Sequence, residues 1–232
     1  MISEAREQEI YSAVFRVLLG YGDDLTLPVS LTGLCAHLGI QLHPVSKSIV
    51  EEGFSAEFVF EYIWHNRDGV AFSGPGGPVI DYNDFADKRR ARFTIGEEIG
   101  HCILGHVNDD RFDVMSPAYD QRTYARYEVE ARIAAGLILC QPQFFYREDP
   151  RYLNPRTVAY LCDVSDSCAK TRVDILMSHR QSIESNPLYA QLPQPAVLRP
   201  FWRADQHTLC EPRSVFGLRP RYARSAILVD GP

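Results

Sequence analysis

No apolar run in this 232-residue chain approaches the roughly 20 residues that a membrane-spanning helix needs. Its first residues, Met-Ile-Ser-Glu-Ala-Arg-Glu-Gln-Glu, lack the basic start and apolar stretch of a secretory signal, so a cytoplasmic protein is expected. Positive charge is also short. The 24 Lys and Arg are outnumbered by 30 Asp and Glu, and the net charge of −6 gives no general attraction to nucleic acid, although a local basic patch stays open. Cysteines stand at 35, 102, 140, 162, 168 and 210, and none forms C-x-x-C. Their even number is compatible with disulfides. Cys102 and Cys140, however, fall inside apolar stretches that read as helix, so buried thiols acting as small apolar side chains are expected. There are no internal repeats and no low-complexity segment. What remains, 45% hydrophobic and 23% charged residues, is the balance of an ordinary globular protein.

Hydrophobic spacing orders the chain. Ile10, Val14, Val17 and Leu18 line one side of a helix over 3–20 that Gly20 ends. A second helix is expected from Val29 to Leu38, followed by a strand from Ile40 to Val45. Residues 49–64 lean towards a strand by their aromatic content and alternation. The aromatics at 54–64 are expected in the core. Val70-Ala-Phe and Val79-Ile-Asp-Tyr flank a Gly/Pro loop and predict a hairpin. A helix from about Asp84 to His106 and another from Tyr124 to Cys140 follow, and Lys88-Arg89-Arg90 reads as a solvated helix start. Two short helices are expected in 155–180, with Ser165 as an N-cap. They read as a small helical subdomain, since few basic residues mark a recognition helix. After Ser185, seven Pro between 187 and 232, with Phe201, Trp202 and Phe216, predict an irregular extension held by a few aromatic anchors.

Residues 92–106 carry the chemistry: Arg-Phe-Thr-Ile-Gly-Glu-Glu-Ile-Gly-His-Cys-Ile-Leu-Gly-His. In H-E-x-x-H two His one turn apart bind zinc and the Glu is general base. Here Glu98 and His101 fill the second and fifth positions, and Glu97 stands where the first His belongs. Glu97 and His101 share one helix face, and Glu98 is rotated by about 100° towards its edge. A hydrolytic zinc needs three protein ligands and an open position. Candidates for the third are Glu128 and Glu130, on the following helix.

These two stretches resemble the ImmA/IrrE metallopeptidases of bacteria and their mobile elements. That family's core reads approximately R-F-T-x-A-H-E-x-G-H and then E-x-E-A-N-x-F-A-A-x-L-L-x-P. Arg92 to His101 and Glu128 to Leu139, with Pro142 close behind, match in order and spacing, and the likeness covers roughly residues 10–180. It implies Glu98 as general base and Glu97, His101 and Glu128 at the metal-ligand positions. Glu130 is then expected on the surface, and His106 as a partly exposed helix-end residue. It also implies zinc, or a harder ion such as Mn²⁺ or Fe²⁺ on a two-carboxylate set. A metal-free site is the alternative.

The two departures from the pattern are chemically matched. Glu97 replaces an imidazole, and Arg132 replaces the Asn or Asp whose counterpart in related zincins orients the first His. A carboxylate facing a guanidinium predicts a buried ion pair where the metal stood. The expected fold is α+β: a zincin-like helical core with a small twisted sheet over 1–150, a short helical subdomain over 151–185 and a Pro-rich extension over 186–232. The expected function is regulatory. A degenerate site would leave binding of a protein partner, a helix-turn-helix repressor, as the activity. The alternative is a working metalloendopeptidase with a Glu/His/Glu site that cleaves that repressor.

Overall fold

The computed structural model describes residues 2–46, 53–55, 58–64, 67–109, 111–113, 118–148, 150–199, 201–202 and 209–210. Helix α1, Glu4–Tyr21, starts where the Ser3 side chain accepts from the Arg6 amide, and it buries Ile10, Tyr11, Val14, Phe15 and Leu18. Strand β1, Thr26–Leu27, leads to α2, Leu31–His37, and then to β2, Gln41–Pro44. The hairpin is present as β3, Gly69–Gly74, and β4, Gly77–Tyr82, paired antiparallel with Ala71 opposite Ile80. β2 joins β4 in parallel, so the three-stranded sheet runs β2-β4-β3. With the helices this is an α+β fold.

Two long helices carry the motif residues, and the first of them packs on this sheet. α3, Lys88–Ile103, is capped by Asp87, which accepts from the Arg89 and Arg90 amides. α4, Gln121–Leu139, is capped by Asp120. Gly100 sets their spacing. A Cβ there would stand 2.8 Å from the Ala131 carbonyl oxygen, so only a bare backbone lets α4 come this close. The α4 side answers with the fully buried Ala131, Ala134 and Ala135. This close approach brings residues 97–101 against 128–132.

Pro142 opens α5, Pro142–Arg147, where a missing amide hydrogen costs nothing. The two short helices are α6, Pro155–Cys162, and α7, Asp166–Ser178. Ser165 caps α7 by accepting from the Cys168 amide. α8, Arg180–Glu184, follows. One hydrophobic cluster extends from Ile10 on α1 to Leu192. Within 186–232, β5, Ala196–Val197, pairs in parallel with β1, and β6, Phe201–Trp202, pairs with β7, Leu209–Cys210. Phe216 lies outside the described residues. The five described cysteine side chains are free thiols. No described helix is long and apolar enough to cross a membrane.

Residues 49–64 depart from expectation. Residues 49–52 lie outside the described residues, but Val59–Ile63 is a π-helical turn, with the Trp64 amide donating to the Val59 carbonyl at 2.9 Å. Val59 and Trp64, five apart, are buried with Val45, whereas Phe54, Phe58 and Tyr62 are exposed. Anchors five apart suit one wide turn. Strand alternation would send them to opposite faces.

Candidate functional site

Three carboxylates of the motif helices, Glu97, Glu98 and Glu128, and the His101 imidazole come together at the α3–α4 crossing. Arg132 Nε donates to Glu97 Oε1 at 3.1 Å, and Arg132 Nη2 lies 3.5 Å from Glu128 Oε2. His101 Nε2 stands 3.6 Å from Glu128 Oε1. The Glu97–Arg132 pair expected from the sequence is therefore formed, and its guanidinium also reaches Glu128. The pair is not buried: the Arg132 side chain is 55% exposed. Water screens such a pair, so Arg132→Ala is expected to cost about 1 kcal/mol or less. A loss of about 3–5 kcal/mol in urea denaturation, the cost of breaking a buried pair, would contradict this.

Behind the cleft lies a network that the sequence reading missed. Glu130 was expected on the surface and His106 partly exposed, yet they are 1% and 2% exposed. Glu130 Oε2 accepts from Arg6 Nη2 at 2.6 Å and lies 3.1 Å from His106 Nε2. His106 Nδ1 is 3.0 Å from His101 Nδ1. Helical periodicity held the signal. Tyr127, Glu130, Ala131 and Ala134 follow the i, i+3, i+4, i+7 spacing of one buried stripe.

The network fixes the tautomers. Burial works to raise the Glu130 carboxyl, but the Arg6 and His106 contacts outweigh it and hold it below the usual range. An ionised carboxylate only accepts, so His106 Nε2 carries the proton and donates to it. Burial lowers His106 to about 4 and His101 to about 3, so both rings are neutral at pH 7. His106 Nδ1 then accepts from His101 Nδ1, which leaves His101 Nε2 as a bare lone pair facing Glu128. Phe112 stacks on His101 at 4.5 Å and Tyr127 on His106 at 3.9 Å, walling the chain off from solvent.

Glu98 lies beside β3, where a Cβ at Gly69 would come within 3.3 Å of its Cγ. Burial, then the negative charges of Glu128 and Glu97, lifts its carboxyl to about 8. Arg67 and the Ala71 backbone oppose the shift. The native state thus keeps a proton that the unfolded chain releases above the ordinary carboxylate range. The stability this group contributes is full at low pH and is lost as pH rises from about 4 towards about 8. Glu98→Gln is expected to remove that decline and to be more stable than wild type at pH 8, by on the order of 2 kcal/mol. Parallel stability–pH curves for the two proteins would refute it. Tyr124, not singled out in the sequence, completes the rim: its hydroxyl accepts from Arg67 Nη1 at 3.1 Å and donates to Glu128.

Residues 53–169 match the IrrE N-terminal-like domain of the M78 peptidases. The chain belongs to this family. The match spans half the chain and contains β3, β4, α3 and α4 with the whole motif cleft. No relative of curated function matches. Family members are typically zinc metallopeptidases, so the fit of this donor set to a metal matters. It does not fit as placed. The Arg132 guanidinium stands against both carboxylates that would flank the ion. Among the described residues no group of three or more His, Cys, Asp or Glu side chains is disposed to hold a metal.

Proposed function

We propose that this family member is a regulatory protein whose peptidase fold serves as a binding module, with a protein partner such as a helix-turn-helix repressor. The observation that carries this reading is Arg132, which gives Glu97 and Glu128 the positive charge that a metal gives in a hydrolase. Glu97 and Glu128 need such a charge, because like charges this close destabilise one another and already help to keep Glu98 protonated. An arginine supplies it without activating a water. Glu98 then has no metal-bound water to deprotonate, and the cleft retains its shape without its chemistry.

The second reading, a metalloendopeptidase built on Glu97, His101 and Glu128, draws on the His101 tautomer. Its bare Nε2 is the form in which imidazole ligates a metal. One experiment separates the two. Wild type and Glu98→Gln are expressed with a co-encoded repressor, whose length and DNA occupancy are followed. The binding reading expects an unchanged repressor length and the same altered occupancy with both proteins. Cleavage by wild type but not by Glu98→Gln would establish the peptidase.

A further inference from the structure

The π-helical turn before β3 presents an aromatic surface that neither the core nor the motif cleft uses. Phe54, Phe58 and Tyr62 are 41%, 42% and 61% exposed. They form a continuous ladder, with ring centroids 5.3 Å apart between Phe54 and Phe58 and 5.4 Å between Phe58 and Tyr62. The turn is anchored from its other side by Val59 and Trp64, packed with Val45 and Val70. Core packing therefore accounts for Val59 and Trp64 but not for the ladder. A contiguous exposed apolar patch of this kind marks an interaction surface.

The charge around it selects the partner. Between Val50 and Trp64 the sequence has Glu51, Glu52, Glu57 and Glu61 and no Lys or Arg. Glu61, within the turn, is exposed. Exposed aromatic rings on the same turn as the exposed Glu61, in a stretch whose sequence is acidic, favour cationic side chains, which gain cation–π contact and charge attraction together. The same charge repels nucleic acid. The turn is also tied to the motif cleft. The Trp64 carbonyl accepts from Arg67 Nε at 3.1 Å, and Arg67 reaches the Tyr124 hydroxyl beside Glu128.

We infer that Phe54, Phe58 and Tyr62 form the docking surface for a basic amphipathic segment of a partner protein, with Arg or Lys set among aliphatic side chains. The inference rests on the reading of this chain as a partner-binding protein and names where the partner sits.

The test uses the full chain and a fluorescein-labelled synthetic helix of Leu and Arg, followed by anisotropy. Wild type is expected to bind it and to ignore the counterpart with Glu in place of Arg. Phe58→Ser and Tyr62→Ser should each weaken binding at least about tenfold. Phe58→Tyr, which keeps a ring, and Phe85→Ser, at another exposed ring, should leave it unchanged. All three positions are exposed, so melting temperatures should stay at the wild-type value and exclude misfolding as the cause. Equal affinity of wild type and Phe58→Ser, or no binding by wild type, overturns the docking surface. So does a dimer in sedimentation that Phe58→Ser converts to monomer, because the occupant is then a second copy of the chain. None of these results depends on the metal state. Peptidase activity that requires Glu98 would overturn the underlying reading while leaving this titration as it stands.

Discussion

Glu97→His combined with Arg132→Asp is expected to bind zinc roughly 10–100-fold more tightly than Glu97→His alone, the range over which an orienting partner of a metal-bound His acts. The single change restores an imidazole but leaves a guanidinium 3.5 Å from Glu128, where it repels an incoming cation. The double change removes that charge and supplies a carboxylate to hold the new imidazole. His101 needs no help, because Arg6, Glu130 and His106 already fix its ring with Nε2 free. Isothermal titration of wild type and both variants measures this directly. Wild type is expected to take up well under one zinc per molecule. Equal affinity in the single and double variants would show that Arg132 has no part in excluding metal. Stoichiometric metal in wild type, lost in His101→Ala, would sink the degenerate reading altogether.

Glu130→Ala should be the most damaging single substitution near the site. It takes from Arg6 one of its two carboxylate partners, the other being Glu9, and leaves the His106 Nε2 hydrogen without its acceptor, inside a region where Glu130 is 1% exposed. Removing the charged acceptor of a buried hydrogen-bond network in this way costs up to about 3 kcal/mol. For a chain of this size that lowers the melting temperature by roughly 10 °C. Arg132→Ala, at the half-exposed pair, should cost a small fraction of this. A Glu130→Ala protein within about 1 kcal/mol of wild type would show that the network is dispensable.

The same network sets an acid limit. His101 and His106 have lowered native values, so the unfolded chain binds protons that the native state refuses. Their stabilisation is full above the ordinary His range and is lost as pH falls from about 6.5 towards about 4 for His106 and about 3 for His101. Glu130, also lowered, adds a further loss below the ordinary carboxylate range. Wild-type stability is therefore expected to fall on both sides, with the His pair acting in acid and Glu98 towards alkaline pH.

The sequence by itself determined the elements that repeat locally. The α1 stripe, the hairpin around Ser73–Gly77, the Ser165 cap and the two motif helices all rest on interactions between near neighbours in the chain. It also determined the pairing of Glu97 with Arg132, because two matched departures from one spacing pattern had a single chemical complement. Tertiary structure alone decided how deeply each group is buried. Arg132 was expected inside and is half-exposed. Glu130 was expected outside and lies under α1, because its partner Arg6 is 124 residues away and no local pattern links them. The aromatics at 54–64 divided the same way: Val59 and Trp64 found Val45 and Val70 to pack against, and Phe54, Phe58 and Tyr62 did not. A side chain's type and period say which face of its element it shares. What covers that face depends on contacts distant in sequence, and those contacts set the charge and protonation of every group in this cleft.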